Sequence, residues 1–316
     1  MVSADVIVVG GGPAGSTCAW KLRQAGRDIL LLDRESFPRG KPCAGWVTPR
    51  ALAALEISPE RYPGSLRRIT SLICHFPRIS IPIPTRQFAI RRIEFDDWLL
   101  QRAGVTAVHH EVADIRRERG FYVVDGCYRA RTIVGAGGTA CPVYRAFFRD
   151  RRARPPAAMI ASVEAEFPAV VRDQRVQLWF GLRGLPGYAW YLPKEGGYLN
   201  VGIGGFAEPL KRRQQTIWEH WRMFLEMLSA TSLFTGVPSD VRGHAYAIRS
   251  SEGPVHMDGG YIVGDAAGLA TRDMGEGIGP AVESGKLAAR SIIAGSDYSV
   301  RAIRARSIWD IVFPLS

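Results

Sequence analysis

The chain has 316 residues, 47% of them apolar and 22% charged, a composition that excludes disorder and fibrous repeats. No apolar run approaches the roughly 18 residues that span a bilayer, and the length allows about two domains. The net charge of +11 excludes little, because only five of the 41 basic residues are Lys and the Arg clusters at 145–154 and 301–306, like Lys211-Arg212-Arg213, lie apart in sequence. They read as solvated surface, not as a nucleic-acid face.

Asp5 to Val9 is a continuous apolar strand that runs into three glycines, with no basic leader before it. A helix is predicted over 14–25, ended by Gly26, and a second strand over Asp28–Leu32. Further on, Glu94–Ala103 reads as a helix and 109–135 as short strands punctuated by Gly120 and Gly126. Strands at 157–167, 175–181, 187–193 and 198–204 suggest a mostly antiparallel sheet. One long amphipathic helix is predicted over 208–229, with Leu210, Ile217, Trp218, Trp221, Phe224, Leu225 and Leu228 on a stripe that packs on that sheet and not on a membrane. A strand at 260–264 and a helix at 277–294 follow. The cysteines at 18, 43, 74, 127 and 141 are scattered and odd in number, which predicts reduced thiols, no zinc site and a cytoplasmic location. The six histidines show no ligand spacing and read as structural or exposed, so no metal is expected.

Chemistry begins at Gly10-Gly11-Gly12-Pro13-Ala14-Gly15, a G-x-G-x-x-G segment that leaves a strand and opens a helix. Gly10 allows the tight turn, Gly12 lets a pyrophosphate approach backbone amides, and Gly15 lets helix and strand pack closely. Asp33 ends the second strand 23 residues after Gly10, where an acid accepts from ribose hydroxyls. An ADP-containing dinucleotide is therefore expected. A second element decides for FAD over NAD. Tyr261 to Gly268 is a strand ending in Gly264-Asp265, and Gly275-Glu276-Gly277-Ile278-Gly279-Pro280 then opens a helix. Asp265 suits ribityl hydroxyls, and the helix N-terminus suits the negative charge that develops on a reduced flavin. The Gly135-Ala136-Gly137-Gly138 segment runs into Pro142 without opening a helix, so no separate NADPH domain is expected.

These segments, together with Phe37-Pro38-Arg39-Gly40-Lys41-Pro42-Cys43-Ala44-Gly45, Arg92-Ile93-Glu94-Phe95-Asp96-Asp97-Trp98-Leu99, Tyr188-Ala189-Trp190-Tyr191-Leu192-Pro193-Lys194 and Asn200-Val201-Gly202-Ile203-Gly204, resemble the geranylgeranyl reductase family. That family is a branch of the flavoproteins built like p-hydroxybenzoate hydroxylase. The resemblance implies an α/β fold: a discontinuous Rossmann-like FAD-binding domain (1–65, 90–155, 252–316) with an inserted α+β substrate domain (66–89, 156–251) on a mostly antiparallel sheet. It implies a cofactor site of Gly10, Gly12, Pro13, Ala14, Gly15, Asp33, Arg34 and Val112 at one end. Lys41, Cys43, Ala44, Gly45, Arg92, Gly264, Asp265, Gly275, Gly277 and Ile278 would complete it. Cys43, Tyr188 and Trp190 would line the flavin and substrate cavity, with no catalytic residue assigned.

The implied reaction is hydride transfer from reduced flavin to an apolar, isoprenoid-like alkene carried by a hydrophobic small molecule or lipid. NAD(P)H acting transiently or a reductant protein would supply electrons, and peripheral membrane contact is compatible with such a substrate. The chain departs from the family at Ala44, at Arg272, which brings an extra charge toward the flavin, and in stopping some 40 residues after Gly275, which implies a shorter or more open lipid pocket. Two alternatives stay open: a flavin-dependent monooxygenase or halogenase, and an electron-transfer flavoprotein acting on a quinone. Against the first stand the missing Asp at 135–138 and Tyr188 where a halogenase has Trp.

Overall fold

The computed structural model describes residues 1–250 and 252–312, so Ser251 and the 313–316 end of the expected third FAD segment lie outside the described residues. The apolar run at the start forms β1 (Val2–Val9), followed by α1 (Pro13–Gln24) and β2 (Ile29–Asp33), which pairs parallel to β1. Next come β3 (Trp46–Val47), α2 (Pro49–Ala54), the long hairpin β4 (Leu66–Phe76) and β5 (Ile79–Ile90), and α3 (Arg92–Ala103). Four strands, β6 (Ala107–His109), β7 (Ile115–Glu118), β8 (Phe121–Val124) and β9 (Tyr128–Gly135), precede β10 (Met159–Pro168) and β11 (Val170–Val171). Then follow β12 (Val176–Phe180), β13 (Gly187–Pro193), β14 (Tyr198–Phe206), α4 (Ala207–Arg212) and α5 (Ile217–Ser229). The described chain ends with β15 (Phe234–Thr235), β16 (Arg242–Ala247), β17 (His256–Met257), β18 (Gly260–Ile262), α6 (Ile278–Ala294) and α7 (Ile308–Val312).

Among the described residues, two sheets of eight strands carry the fold. The first runs β17-β18-β9-β1-β2-β6, with β7 and β8 branching from β9, and its central pairs are parallel. Val6 to Val9 are buried as a strand covered on both faces must be. Helix α6 lies close on α1 because Gly285 faces the Ala14 carbonyl, where a Cβ would collide.

The second sheet runs β16-β10-β14-β13-β12-β4-β5-β3 and is antiparallel except where β12 meets β4. Trp46-Val47, from the 1–65 segment, forms its edge against Phe88 and Ala89. Strand alternation gives this sheet two apolar faces. One packs Val163, Ala189, Tyr191 and Ile203 against Trp221, Phe224 and Leu228 of α5. The other carries Leu72, Leu178, Trp190 and Leu192 toward Met274 and Ile311.

The helix expected over 208–229 is two helices. Gln214 takes a left-handed φ of +55° after α4, and Thr216 then starts α5 with a reciprocal capping box to Glu219. The break rotates the stripe, so Trp218 is 47% exposed and does not join Trp221 in the core. Among the described residues no helix is long and apolar enough to cross a membrane.

Candidate functional site

At the end of β1 the chain turns at Gly10, with φ +108° and the Ala136 carbonyl oxygen 2.5 Å from where a Cβ would stand. Gly15 faces the same turn, and a Cβ there would run into the Gly10 carbonyl. Gly12 is the N-cap of α1 with no side chain capping it, Pro13 occupies the first turn, and Ala14 is buried beside it. The end of α1 thus presents amides with no bulk in front of them. Asp33 accepts from Gly11 N at 2.6 Å and from Glu35 N at 2.9 Å, which fixes a buried carboxylate beside that turn. Arg34 turns its side chain to solvent and Val112 packs into the core, so neither side chain adds a polar contact here.

The second element converges on the first. Gly264 N donates to Ser284 Oγ at 2.9 Å, and a Cβ on Gly264 would stand 3.1 Å from Ala14. Asp265 Oδ1 lies 3.5 Å from where a Cβ of Gly277 would be, at the N-terminus of α6, where Gly277 as N-cap brings no side chain of its own. Gly275 takes φ +62° against the Tyr246 hydroxyl, and Ile278 is buried in the first turn. Glu276 accepts from Gly279 N at 2.6 Å, and burial pushes its pKa up to about 7. Two helix N-termini brought together where Gly264 meets Ala14, and two strand-end aspartates, are what an FAD needs, so the residues present fit that cofactor.

Residues 39–45 cross between these elements. Arg39 stands 3.6 Å from the Cβ position of Gly12 and 3.3 Å from Asp96. Asp96, fully buried, holds Arg92 through two bonds of 2.8 and 2.7 Å. Burial works against the Arg92 charge, but Asp96 and then the neighbouring Cys43 outweigh it and its pKa is raised. Cys43 N donates to Glu164 Oε1 at 2.5 Å, and burial holds the Glu164 carboxyl above its ordinary range against the pull of Lys194. Gly45 sits at φ +71° under the Ile90 carbonyl, with Ala44 packed in the apolar face beyond.

Tyr188 and Trp190 share one sheet face, their ring centroids 5.9 Å apart. Tyr188 donates to the Met274 carbonyl and Trp190 Nε1 to Asn200 Oδ1, both at 2.6 Å, while a Cβ on Gly202 would collide with the indole. The Y-x-W and N-x-G segments are thus one packing unit. The polar atoms of both rings are already satisfied within the fold.

One sequence reading is corrected, that of the Arg cluster at 145–154, and two further residues are placed. His244, read as structural or exposed, lies 3.2 Å from Lys41 through Nε2, and burial followed by the Lys41 charge lowers its pKa to about 4. Arg152 and Arg154, read as solvated surface, donate to the carbonyls of Ala267 and of Asp265 and Ala266, pinning the turn that carries Asp265. Arg272 is exposed and donates to the Arg249 carbonyl. The roles of Glu164, Glu276, Asp96 and Arg39 also went unread. Only Arg92 and Asp96, four apart on one helix face, left a sequence signal.

Comparison with known proteins bears on the family and the fold. Residues 8–45 match an NAD(P)-binding Rossmann-like domain. The chain is 30% identical over 312 residues to menaquinone reductase of Mycobacterium tuberculosis, covering 91% of this chain and 76% of that one. It is 28% identical to digeranylgeranylglycerophospholipid reductase 2 of Methanopyrus kandleri, over 90% and 75% of the two chains. A geranylgeranyl bacteriochlorophyll reductase-like structure from Thermoplasma acidophilum has a TM-score of 0.80 at 21% identity, with 93% and 79% coverage. The flavin-dependent brominase Bmp2 has a TM-score of 0.75 at 19% identity, with 94% and 81% coverage. These two likenesses speak to the fold alone.

Proposed function

Since the chain belongs to the geranylgeranyl reductase family of FAD-dependent oxidoreductases, we propose that it reduces carbon–carbon double bonds in an isoprenoid-like chain carried by a lipid or quinone. The observation that carries this reading is the 30% identity to menaquinone reductase over 91% of this chain, with a buried apolar cluster abutting the cofactor motifs. Ala44, Trp46 and Met274, beside the cofactor motifs, join Leu178, Tyr188, Trp190 and Leu192 in one cluster.

The α1 N-terminus from Gly10 to Gly15 would take the pyrophosphate and Asp33 the ribose, with Arg34 and Val112 at the adenosine end. Gly264 and Asp265 would take the ribityl chain, and Gly275, Gly277 and Ile278 the pyrimidine edge. Lys41, Cys43, Ala44, Gly45 and Arg92 would close the redox end. When bound and reduced, the flavin would supply the hydride, and a proton drawn from solvent would complete each addition. The chain's own residues orient and insulate: Trp190 and Tyr188 present rings with no free polar atom, and the 43–46 loop shuts out water. Lys41 and Arg92 place positive charge where reduction develops negative charge. NAD(P)H or a reductant protein would deliver the electrons, and a lipid substrate would bring the enzyme to a membrane surface from a cytoplasmic pool.

The test is product mass. FAD-loaded enzyme, reduced chemically without oxygen and given a prenylated quinone or lipid, should yield a product heavier by two hydrogens per bond reduced. A product that gains oxygen or halogen once air and halide are admitted would move the reading to the alternative that the brominase fold embodies. Oxidised flavin with unaltered prenyl chains would leave an electron carrier.

A further inference from the structure

The apolar cluster beside the site continues to the surface. Trp190 touches Tyr188, Tyr188 lies 5.5 Å from Phe180, and Phe180 stacks on Phe76 at 5.2 Å, between ring centroids. Phe76 pairs with Ile79 across the two-residue turn of the β4–β5 hairpin. At that tip Phe76, Ile79 and Ile81 are 42%, 58% and 41% exposed. Single exposed apolar residues are ordinary, but here a contiguous group continues a buried track to the surface.

Two features say what covers the tip. Beyond the short pairing with β3 at Phe88 and Ala89, the outer edge of β5 carries Pro82 and Pro84, which lack N–H groups and resist a further strand. A protein partner or second copy joining by strand addition is therefore disfavoured, whereas a lipid surface asks for no backbone hydrogen bonds. Arg78, in the turn between Phe76 and Ile79, is exposed and has no ion-pair partner among the described residues. A cation beside inserted apolar side chains suits a phosphate headgroup layer. Trp309, 60% exposed on α7, lies on the helix whose carbonyls bind Thr85 and Gln87 of the same strand.

We propose that the β4–β5 hairpin seats the enzyme on an anionic lipid surface, at the end of the fold where the aromatic cluster of Trp190, Tyr188 and Phe180 reaches the surface through Phe76. The proposal rests on the reading of an apolar substrate, but vesicle binding needs no turnover, so the two can fail separately. FAD-loaded enzyme is sedimented with vesicles of phosphatidylglycerol and phosphatidylcholine, comparing wild type with Ile79→Asp, Arg78→Glu and, on α5, Trp218→Ser. Flavin absorbance and the thermal midpoint certify that each variant is folded.

Ile79→Asp should weaken partitioning about tenfold. Arg78→Glu should weaken it on anionic vesicles and not on pure phosphatidylcholine, and Trp218→Ser should leave it unchanged. The proposal is overturned if wild type stays in the supernatant, or if Trp218→Ser and not Ile79→Asp releases it. It is equally overturned if the tip drives concentration-dependent self-association without vesicle binding. Vesicle binding with no reduced prenyl product would retain the docking face and discard the substrate reading.

Discussion

Lys41 Nζ and His244 Nε2, 203 residues apart in sequence, meet at 3.2 Å at the floor of the candidate site. The ammonium donates, so the imidazole must be neutral with its proton on Nδ1. Burial lowers the pKa of both groups.

For His244 the folded pKa of about 4 lies below the ordinary 6.5, so the unfolded chain binds the proton more readily. Stability should therefore fall as the pH drops from 6.5 toward 4, by up to about 3 kcal/mol from this group. Urea midpoints measured across that window should show the acid loss reduced in His244→Gln, which still accepts from Lys41. An identical pH slope in both proteins would refute the assignment.

Glu276 acts in the opposite sense. Its folded pKa of about 7 stands above the ordinary 4.5, with burial as the main cause, so folding favours its protonated form. That contribution is complete below pH 4.5 and fades as the pH rises through 7, again by up to about 3 kcal/mol. Glu276→Gln retains the acceptor for Gly279 N and should be more stable than wild type at pH 8 but not at pH 4.

Gly12 and Gly15 should separate cofactor binding from folding. A Cβ at Gly12 meets nothing nearer than 3.6 Å, whereas one at Gly15 runs into a backbone carbonyl. Gly12→Ala is expected to fold with a normal thermal midpoint yet lose FAD affinity by about tenfold or more, because the methyl stands where the pyrophosphate approaches. Gly15→Ala should lose stability outright. Flavin titration beside calorimetry distinguishes them, and a Gly12→Ala protein that binds FAD normally would displace the pyrophosphate from α1.

Asn200 is fully buried and takes the Trp190 indole N–H. Asn200→Leu leaves that donor unsatisfied and should cost about 1–3 kcal/mol. Because the indole then loses its anchor, turnover of a prenyl substrate should drop further than flavin content does. Indole fluorescence and bound FAD, measured on one preparation, decide the matter.

What could be read from the chain alone was whatever neighbours in sequence determine. The strand, turn and helix from Val6 to Gln24 follow from an apolar run, glycines at a crowded turn and a proline suited to a first turn. The Gly264-Asp265 and Gly275-Gly277 segments announced a second helix terminus in the same way. The break before α5 was also local, written as Thr216 and Glu219 three apart. The long-range partners were not local. His244 reaches the site because β16 pairs with β10 in the register that sets His244 opposite Ser162, on the face shared by Glu164. Arg152 and Arg154 support the Asp265 turn only once the chain has folded back across more than a hundred residues. Strand register alternates side chains between opposite faces, so a one-residue slip would have sent His244 and Glu164 away from Lys41 and Cys43. The motifs determined what kind of cofactor this chain holds, and the packing of two sheets decided which charges surround it.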